Sequence, residues 1–289
     1  MNRLPLIALG AAGLLAGFAL LSSSSSPLLP ERHVPAWSRK VIRRVALHEG
    51  SYTALNRNTD GAGLSVGILQ WAQQPGQLGV LLRAMYASHP EAFAQAFGKG
   101  HSALLAHTEA GYLGPLEGAH LWHEPWVSRF RKALSNPRFQ AVQDVLAAKG
   151  EHFRGALAAA RILGVQTERS IALLFDTAVQ QGPRHAQRVA KRVSDMYLGQ
   201  PIPDATLLDT YARLTGAHFL RVTPPEGPHK RAPRLQWVQV SPGEWHVFAG
   251  RTEGRRGIDL YQDILKRRLG ILKDAQLGDD FIEVPGAMV

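Results

Sequence analysis

The stretch HEGSYTALNRNTDGAGLSVGILQW, residues 48–71, decides the fold. It follows a segment, residues 37–47, whose apolar side chains recur at helical spacing: Val41, Ile42, Val45 and Ala46. That spacing predicts an amphipathic helix that begins at an N-cap Ser38 and ends before Gly50. Glu49 continues the apolar face in the last turn of this helix. Desolvation and the negative end of the helix dipole both disfavour an ionised carboxylate there, so we predict that Glu49 donates a proton.

The residues after Glu49 predict a hairpin punctuated by glycine. Residues 64–71 return as a mostly apolar strand, or as a strand that leads into a helix, after a cluster of turn formers: Asn56, Asn58, Thr59, Asp60, Gly61 and Gly63. At such a turn the carboxylate of Asp60 is expected to be exposed to water and ionised. A protonated Glu and an ionised Asp in contrasting surroundings form the acid and base pair of a glycoside hydrolase.

Two family resemblances rest on this stretch. Glu49-Gly-Ser-Tyr52, followed by Gly67-Ile-x-Gln70, resembles the Glu-Ser-x-Phe/Tyr and Gly-x-Gln pattern of goose-type lysozymes and lytic transglycosylases. Residues 60–71, Asp-Gly-x-Gly-x-Ser-x-Gly-Ile-x-x-Trp, resemble more closely the Asp-Gly-x-Gly-Tyr-Thr-x-Gly-Ile-Ile segment of family 46 chitosanases. The resemblance implies an α+β, predominantly α-helical fold of the lysozyme-like, two-lobed type, with a small active-site β-hairpin.

The resemblance also implies roles for individual residues. Glu49 takes the place of the general acid and Asp60 that of the general base. Ser65 stands at the position of a hydroxyl that helps to hold the attacking water. Tyr52 and Gln70 are the motif positions that we assign to substrate binding. This chain departs from the chitosanase pattern in two ways, because the interval from Glu49 to Asp60 is shorter and Ser replaces Thr.

A second candidate group lies on an apolar, predicted central helix, residues 170–182. It carries Asp176 and Gln180 at an i, i+4 spacing, and a carboxylate inside such a run needs a partner. Arg251, Arg255 and Arg256 precede the last predicted helix, and one of them is the expected partner. Arg255 is our candidate, although the sequence does not distinguish among the three. The pair either buttresses the fold or positions Glu49 indirectly, as buried Asp–Arg networks do in chitosanase-like enzymes, and we favour a supporting role over direct catalysis. Gln180 is predicted to line the substrate groove.

An aromatic-rich segment begins as a loop at Tyr112. Sugar rings pack on aromatic side chains, so Tyr112 is a predicted substrate-binding residue, with Trp122 as an alternative. Aromatic residues at helical spacing more often belong to a core, which is the competing interpretation. We predict no metal site and no cofactor, because the nearby side chains lack the spacing of a zinc protease helix: His120, His123 and Glu124.

Length and composition indicate the domain organisation. The chain has 289 residues, 45% of them hydrophobic, and no cysteine, which excludes disulfides and thiol chemistry. Residues 1–21 predict a signal peptide or N-terminal membrane anchor, with the apolar run at residues 4–21, and therefore export to the periplasm, the extracellular space or the inner membrane surface. A Ser/Pro-rich linker, residues 22–36, precedes the predicted catalytic domain, residues 37–289. A C-terminal β-hairpin insertion is expected at residues 235–248.

The net charge of +10 bears on the substrate. A strongly basic protein is drawn to anionic peptidoglycan rather than to the polycation chitosan. We therefore predict acid/base, inverting cleavage of a β-1,4-linked amino-sugar polymer, with peptidoglycan preferred. Three alternatives stay open: a chitosanase, a lytic transglycosylase that uses Glu49 alone, and a non-catalytic cell-wall binding protein. No dense Lys/Arg run or known binding motif indicates a nucleic-acid partner.

Overall fold

The structure is a computed structural model that describes residues 34–217, 236–241, 244–248, 251–252 and 255–284. Side chains are described for all of these except Glu49, Ala217 and residues 236–260. The predicted signal or anchor, residues 1–21, and most of the linker lie outside the described residues. In the described part of the chain, no helix is both long and apolar enough to cross a membrane.

The chain divides into two compact units, with the boundary between Arg154 and Gly155. Helices dominate both units and the strands are short, which confirms the predicted α+β, predominantly α-helical fold class. The first unit contains α1 (Ala36–Glu49), β1 (Leu55–Arg57), β2 (Leu64–Val66), β3 (Trp71–Ala72), α2 (Gln77–Ser88), α3 (Pro90–Phe97), a 3₁₀ helix (Gly98–Gly100), α4 (His101–Glu109), α5 (Trp126–Leu134) and α6 (Pro137–Lys149). The boundary falls within α7 (Glu151–Leu163). The second unit continues with α8 (Glu168–Gln181), α9 (Pro183–Met196), α10 (Asp204–Ala217), β4 (Gln236–Ser241), β5 (Glu244–Phe248), β6 (Arg251–Thr252), β7 (Arg255–Arg256) and α11 (Gly257–Leu272).

Helix α1 ends where the sequence predicts and begins earlier. Its predicted apolar face is buried and packs against α6. The backbone N–H of Gly50 donates to Ala46 O at 2.9 Å and closes the last turn. The predicted N-cap at Ser38 is wrong, because Pro35 precedes the helix and Ser38 is buried in its first turn. A proline fits the start of a helix since the N–H it lacks has no intrahelical acceptor there.

The predicted hairpin is present and gains a third strand. Strands β1, β2 and β3 form an antiparallel sheet in that order, in which Asn56 pairs with Ser65, and Ser65 pairs with Ala72. The returning segment, expected as one strand or as a strand leading into a helix, forms two strands, because the chain bends after β2 and α2 begins only at Gln77. Gly67 has a φ of +76° at the bend, a left-handed conformation that favours glycine. The bend therefore separates β2 from β3.

The core of the first unit is rich in aromatic rings. Phe93 and Phe97 on α3 have ring centroids 4.7 Å apart, and Phe97 contacts Phe130 of α5 at 5.1 Å. Phe139 of α6 joins the cluster at 6.2 Å from Phe93. All four side chains are buried, and burying one such side chain contributes roughly 1.5–3 kcal/mol. This cluster fixes α6, which also carries the groups that reach the hairpin.

The second unit is organised around α8, as the apolar run predicts. Every residue from Ser170 to Ala178 is buried, and α8 packs against α9, α10 and α11. Its first turn is fixed by a capping box in which Thr167 and Ser170 exchange side-chain hydrogen bonds with each other's backbone. The predicted C-terminal hairpin is present as β4 and β5, which pair in an antiparallel ladder. Helix α9 was not predicted, because its charged surface residues outnumber the apolar positions that it buries.

Candidate active site

The backbone of Glu49 lies at the base of the hairpin. Glu49 is the last residue of α1, and its side chain lies outside the described residues. A Cβ built on the next residue, Gly50, would lie 3.3 Å from Gln70 Nε2, 3.5 Å from Gly67 O and 3.1 Å from Ala54 Cβ. The end of α1 therefore contacts the bend between β2 and β3, so the two halves of the sequence motif come together.

Asp60 lies at the opposite end of the hairpin. It is exposed in the turn between β1 and β2, as predicted. Its Oδ1 accepts the backbone N–H of Ala62 at 3.1 Å, and its Oδ2 accepts Asn56 Nδ2 at 3.4 Å. Among the described residues, it has no cationic partner within ion-pair distance. The carboxylate is thus available to solvent while its own turn orients it.

Of the other two predicted site residues on the hairpin, Gln70 lies in the bend and Ser65 lies in the sheet. Gln70 donates from Nε2 to Gly67 O at 2.9 Å, and its φ of +50° places its backbone in the left-handed region. Ser65 is only 2% exposed, in the middle strand of the sheet. This burial gives Ser65 a place in the sheet interior and leaves little surface for the predicted contact with water. The roles of Gln70 and Ser65 in binding stay predictions.

Tyr52 points into a network rather than out of the hairpin. Its hydroxyl donates to Asp144 Oδ1, and Arg43 Nε donates to the same hydroxyl at 3.1 Å. Arg43 Nη2 also donates to Asp144 Oδ2 at 2.9 Å. Burial, together with the bond to Asp144, raises the pKa of the Tyr52 phenol. The hydroxyl is thus already engaged by protein groups, and the role of Tyr52 in substrate binding stays a prediction.

Sequence reasoning missed a buried pair on α6, Gln143 and Asp144. Gln143 Oε1 accepts the backbone N–H of Ile68 at 3.1 Å, and Gln143 Nε2 donates to Tyr52 O at 3.1 Å. A side chain at Gly67 would overlap Gln143 Oε1. The available signal was two consecutive polar residues between Val142 and Val145, which both belong to the buried face of α6.

The loop that carries Tyr112 lies along the hairpin. Tyr112 is 58% exposed, and its carbonyl accepts Gln73 Nε2 at 2.6 Å. A Cβ at Gly63 would lie 2.6 Å from Leu113 Cδ2, so the loop contacts the start of β2. The ring is exposed beside the hairpin, and its role in binding a sugar stays a prediction.

Trp122 lies near the other edge of the sheet. Arg57 Nε donates to Trp122 O at 3.1 Å, and the indole stacks on His120 with ring centroids 4.5 Å apart. His120 Nδ1 bonds Leu113 O at 2.9 Å. Among the described residues, no group of three or more His, Asp or Glu side chains is arranged to hold a metal ion.

The second unit contains the predicted buried aspartate with unpredicted partners. Asp176 Oδ1 accepts Arg267 Nε at 2.7 Å, and Asp176 Oδ2 lies 3.6 Å from Arg268 Nε. Both arginines lie on α11. The predicted partner Arg255 lies in β7, and its side chain lies outside the described residues, so its pairing with Asp176 stays a prediction. Burial lowers the pKa of Arg268, and the charge of Asp176 opposes that change.

Gln180 belongs to the same network. Arg268 Nη2 donates to Gln180 Oε1 at 3.3 Å. Within the part of the chain that the structure describes, Asp176 Oδ2 and Arg268 Nε and Nη1 are buried without a hydrogen-bond partner. The groove-lining role of Gln180 stays a prediction, and the interaction that the structure gives it is with an arginine of its own unit.

Comparisons with known proteins give one likeness. No protein family model matches this chain, and no curated protein sequence does. Similar solved structures include the native chitosanase from Bacillus subtilis MY002, at 15% sequence identity, and a mutant chitosanase from the same source complexed with 6 GlcN, at 16% identity. Each alignment covers 63% of this chain and 76% of that chain, with a TM-score of 0.44.

Proposed function

We propose that this protein is a glycoside hydrolase that cleaves a β-1,4-linked amino-sugar polymer, with peptidoglycan as the preferred substrate. One observation carries the proposal: the β1–β2 ladder has the end of the Glu49 helix at one end and the exposed Asp60 at the other. An acid at a helix end and a solvated carboxylate on one glycine-rich hairpin are the parts that acid/base glycoside hydrolysis needs.

The length of the ladder supports an inverting mechanism. Gly50 lies beside Ala54, just before β1, and Asp60 follows β1 in the turn. From Ala54 to Arg57 the strand makes three residue steps of about 3.3 Å each, so the backbone covers roughly 10 Å before the turn begins. Inverting enzymes hold their carboxyl groups roughly 6.5–9.5 Å apart to admit a water, whereas retaining enzymes use about 5 Å. The hairpin therefore suits a water between acid and base.

In the proposed reaction, Glu49 gives its proton to the oxygen that leaves with the released sugar chain. Asp60 takes a proton from a water as that water attacks the anomeric carbon from the opposite face. The bond to the leaving oxygen breaks while the bond to the water oxygen forms, so the anomeric centre is inverted. The exposed turn leaves the carboxylate of Asp60 open to an approaching water.

The charges around the hairpin support an anionic or N-acetylated glycan over chitosan. Asp144 is paired with Arg43, and Glu117 accepts Arg129 Nη1 at 2.9 Å, so neither carboxylate is left for a polycation. At the start of α1, basic side chains line a cavity of about 440 Å³ together with Ala36: Arg39, Lys40, Arg43 and Arg44. A basic surface on the helix of Glu49 attracts the carboxylates of peptidoglycan.

Two further assignments complete the proposal. The exposed ring of Tyr112 supplies an apolar face for a sugar of the bound chain. The Asp176 network supports the fold of the second unit and acts on catalysis indirectly. We also propose that the protein works outside the cytoplasm, which a reporter fused after residue 36 and assayed in each compartment tests directly.

The decisive experiment compares wild type with Glu49→Gln and Asp60→Asn on purified peptidoglycan and on chitosan. Glu49→Gln removes the proton donor and is expected to lower the rate of glycan release by about 10²–10⁴-fold. The matched control is Glu109→Gln, which removes one carboxylate of the first unit that pairs with Arg83 and should leave the rate unchanged. Pelleting with peptidoglycan without release of fragments by wild type would overturn the proposal in favour of a binding protein.

A second candidate, a lytic transglycosylase, is favoured by one observation. Both oxygens of Asp60 accept hydrogen bonds from its own turn, from Asn56 and Ala62, as expected for a residue that only shapes the turn. Glu49 would then act alone, first as acid and then as base. Mass spectrometry of released muropeptides separates the two, because anhydro-sugar ends are lighter by one water. In that case Asp60→Asn would retain activity.

A further inference from the structure

Two adjacent buried residues of α6, Gln143 and Asp144, reach the chain that follows Glu49. We name this pair the α6 clamp. Gln143 bonds the carbonyl of Tyr52, and Asp144 accepts the hydroxyl of the same residue. Tyr52 is thus held at its backbone and at its side-chain end by neighbouring residues of one helix.

The clamp also holds the other side of the hairpin. Gln143 Oε1 accepts the N–H of Ile68 at 3.1 Å, directly after Gly67. Gly67 N in turn donates to Ala54 O at 2.9 Å, which closes the base of the hairpin. One amide side chain therefore joins the strand that leaves Glu49 to the bend that faces Gly50.

Asp144 links the clamp to α1. It accepts Arg43 Nη2 at 2.9 Å and Nε at 3.3 Å, and Arg43 lies on the helix that ends at Glu49. The carboxylate is 1% exposed, and its two oxygens receive the Tyr52 hydroxyl and the guanidinium. Such a charge-assisted network is directional, since removing one acceptor leaves the donors misaligned.

These contacts surround Glu49 in sequence on both sides. Arg43 precedes it in α1 and Tyr52 follows it after Gly50, and both bond the same carboxylate. We propose that the α6 clamp is a positioning device that sets the Glu49 backbone relative to the Asp60 hairpin. This inference rests on the proposed function and adds to it two residues, Gln143 and Asp144, that position the reaction without touching substrate.

The test uses Tyr52→Phe and Asp144→Asn in the full chain. Each removes one polar function and keeps the shape of the side chain. Misplacement of reacting groups by about 1 Å costs up to 10²-fold in rate, so we expect kcat on peptidoglycan to fall about 10–100-fold with KM changed less than threefold. The double variant should lose little more than either single variant, because both break one network.

A structural role alone would give a different pattern. Hydrogen exchange of residues 50–54 and 66–70 is measured in the same variants, with Glu117→Gln as a control that breaks an ion pair of the first unit outside the clamp. We expect faster exchange in both segments and an unchanged melting temperature to within a few degrees for Tyr52→Phe. The control should match wild type in kcat and in exchange.

The outcomes separate the two proposals. Unchanged kcat in Tyr52→Phe and Asp144→Asn, with an active wild type, would overturn the clamp and leave the hydrolase proposal standing. A wild type that releases no glycan would overturn the hydrolase proposal. Hydrogen exchange then tests the α6 clamp without an activity assay. Protection of residues 50–54 that is unchanged in Asp144→Asn would contradict the clamp, and loss of that protection would support it.

Discussion

Two buried aspartates, one in each unit, meet arginine in opposite ways. Asp144 of the first unit pairs with Arg43, whose side chain is 57% exposed, and it accepts a tyrosine hydroxyl as well. Asp176 of the second unit faces Arg267 and Arg268, which are 8% and 0% exposed. The first network therefore reaches the surface beside the hairpin, whereas the second is enclosed within the helices of its unit.

The comparison teaches what each network does. A half-exposed arginine can be hydrated when its partner is lost, so the Asp144 network adjusts geometry at modest cost in folding. Two enclosed arginines have no such recourse, because water does not reach their guanidinium groups. The Asp176 network is therefore a requirement of the second unit's fold, whereas the Asp144 network orders a surface.

The largest expected effect comes from Asp176→Ala. Removing one partner of a buried ion pair leaves an uncompensated charge, which costs about 3–5 kcal/mol in the free energy of unfolding. Urea denaturation of wild type and variant measures this difference. Asp195→Ala, which removes an exposed partner of Lys191 on α9, is the control and should cost no more than about 1 kcal/mol. Equal costs for the two variants would contradict the comparison.

The next largest effect is expected from Gly67→Ala, which tests how closely α6 packs against the bend between β2 and β3. The left-handed φ of +76° and the overlap of a Cβ with Gln143 together predict a loss of about 2–4 kcal/mol. Gly61→Ala is the matched control, since Gly61 has a φ of +80° with nothing within 4 Å of its Cβ position. It should cost only about 1–2 kcal/mol. Equal denaturation midpoints for Gly67→Ala and Gly61→Ala would show that α6 does not pack closely against the bend.

A smaller effect is expected for Asp144→Ala. The substitution leaves the Tyr52 hydroxyl without its acceptor and releases Arg43 to solvent, which predicts a loss of about 1–3 kcal/mol. Measured beside Asp176→Ala under the same conditions, it compares the two networks directly. A loss at Asp144 equal to or greater than the loss at Asp176 would reverse the assignment of the enclosed network to folding.

The smallest expected effect is a change in the free energy of unfolding at acidic pH. Burial lowers the pKa of His152 and of His107 below 6.5, and both histidines belong to the first unit. The unfolded chain then binds more protons than the folded chain in this range, so the free energy of unfolding falls as pH drops below about 6.5. His152→Gln should flatten that slope in denaturation curves recorded from pH 5 to pH 8. A slope as steep as that of wild type would remove His152 from the explanation.

Local patterns in the sequence predicted helices and strands better than they predicted which side chains interact. The spacing of Val41 and Val45 predicted the buried face of α1, and the glycine cluster around Asp60 predicted the hairpin. Each of these signals is carried by residues only a few positions apart in the chain. Pro90, the first residue of α3, separates α3 from α2 and is a local signal of the same kind. Such features depend on local backbone preferences, which the sequence displays directly.

Interactions between side chains far apart in the sequence were harder to predict. Asp176 was expected to be buried and paired, but several basic residues were available, and no periodicity distinguishes Arg267 from Arg255. Asp144 was missed because a polar residue on a helix usually faces solvent, although its place beside Gln143 between two buried valines was a signal. Tyr52 was assigned to substrate because the motif names it, while its hydroxyl bond to α6 joins residues far apart in the chain.

The way Gln143 grips the hairpin has a mechanical consequence. It bonds both sides of the hairpin at the base, next to Tyr52 and Ile68. Near the tip, two residues after Asp60, the carbonyl of Ala62 accepts the backbone N–H of Gln74 at 2.9 Å. The hairpin is therefore anchored both at its root and close to its tip. In the proposed reaction, this double anchorage holds the turn of Asp60 and the end of α1 at a fixed spacing before a sugar chain arrives.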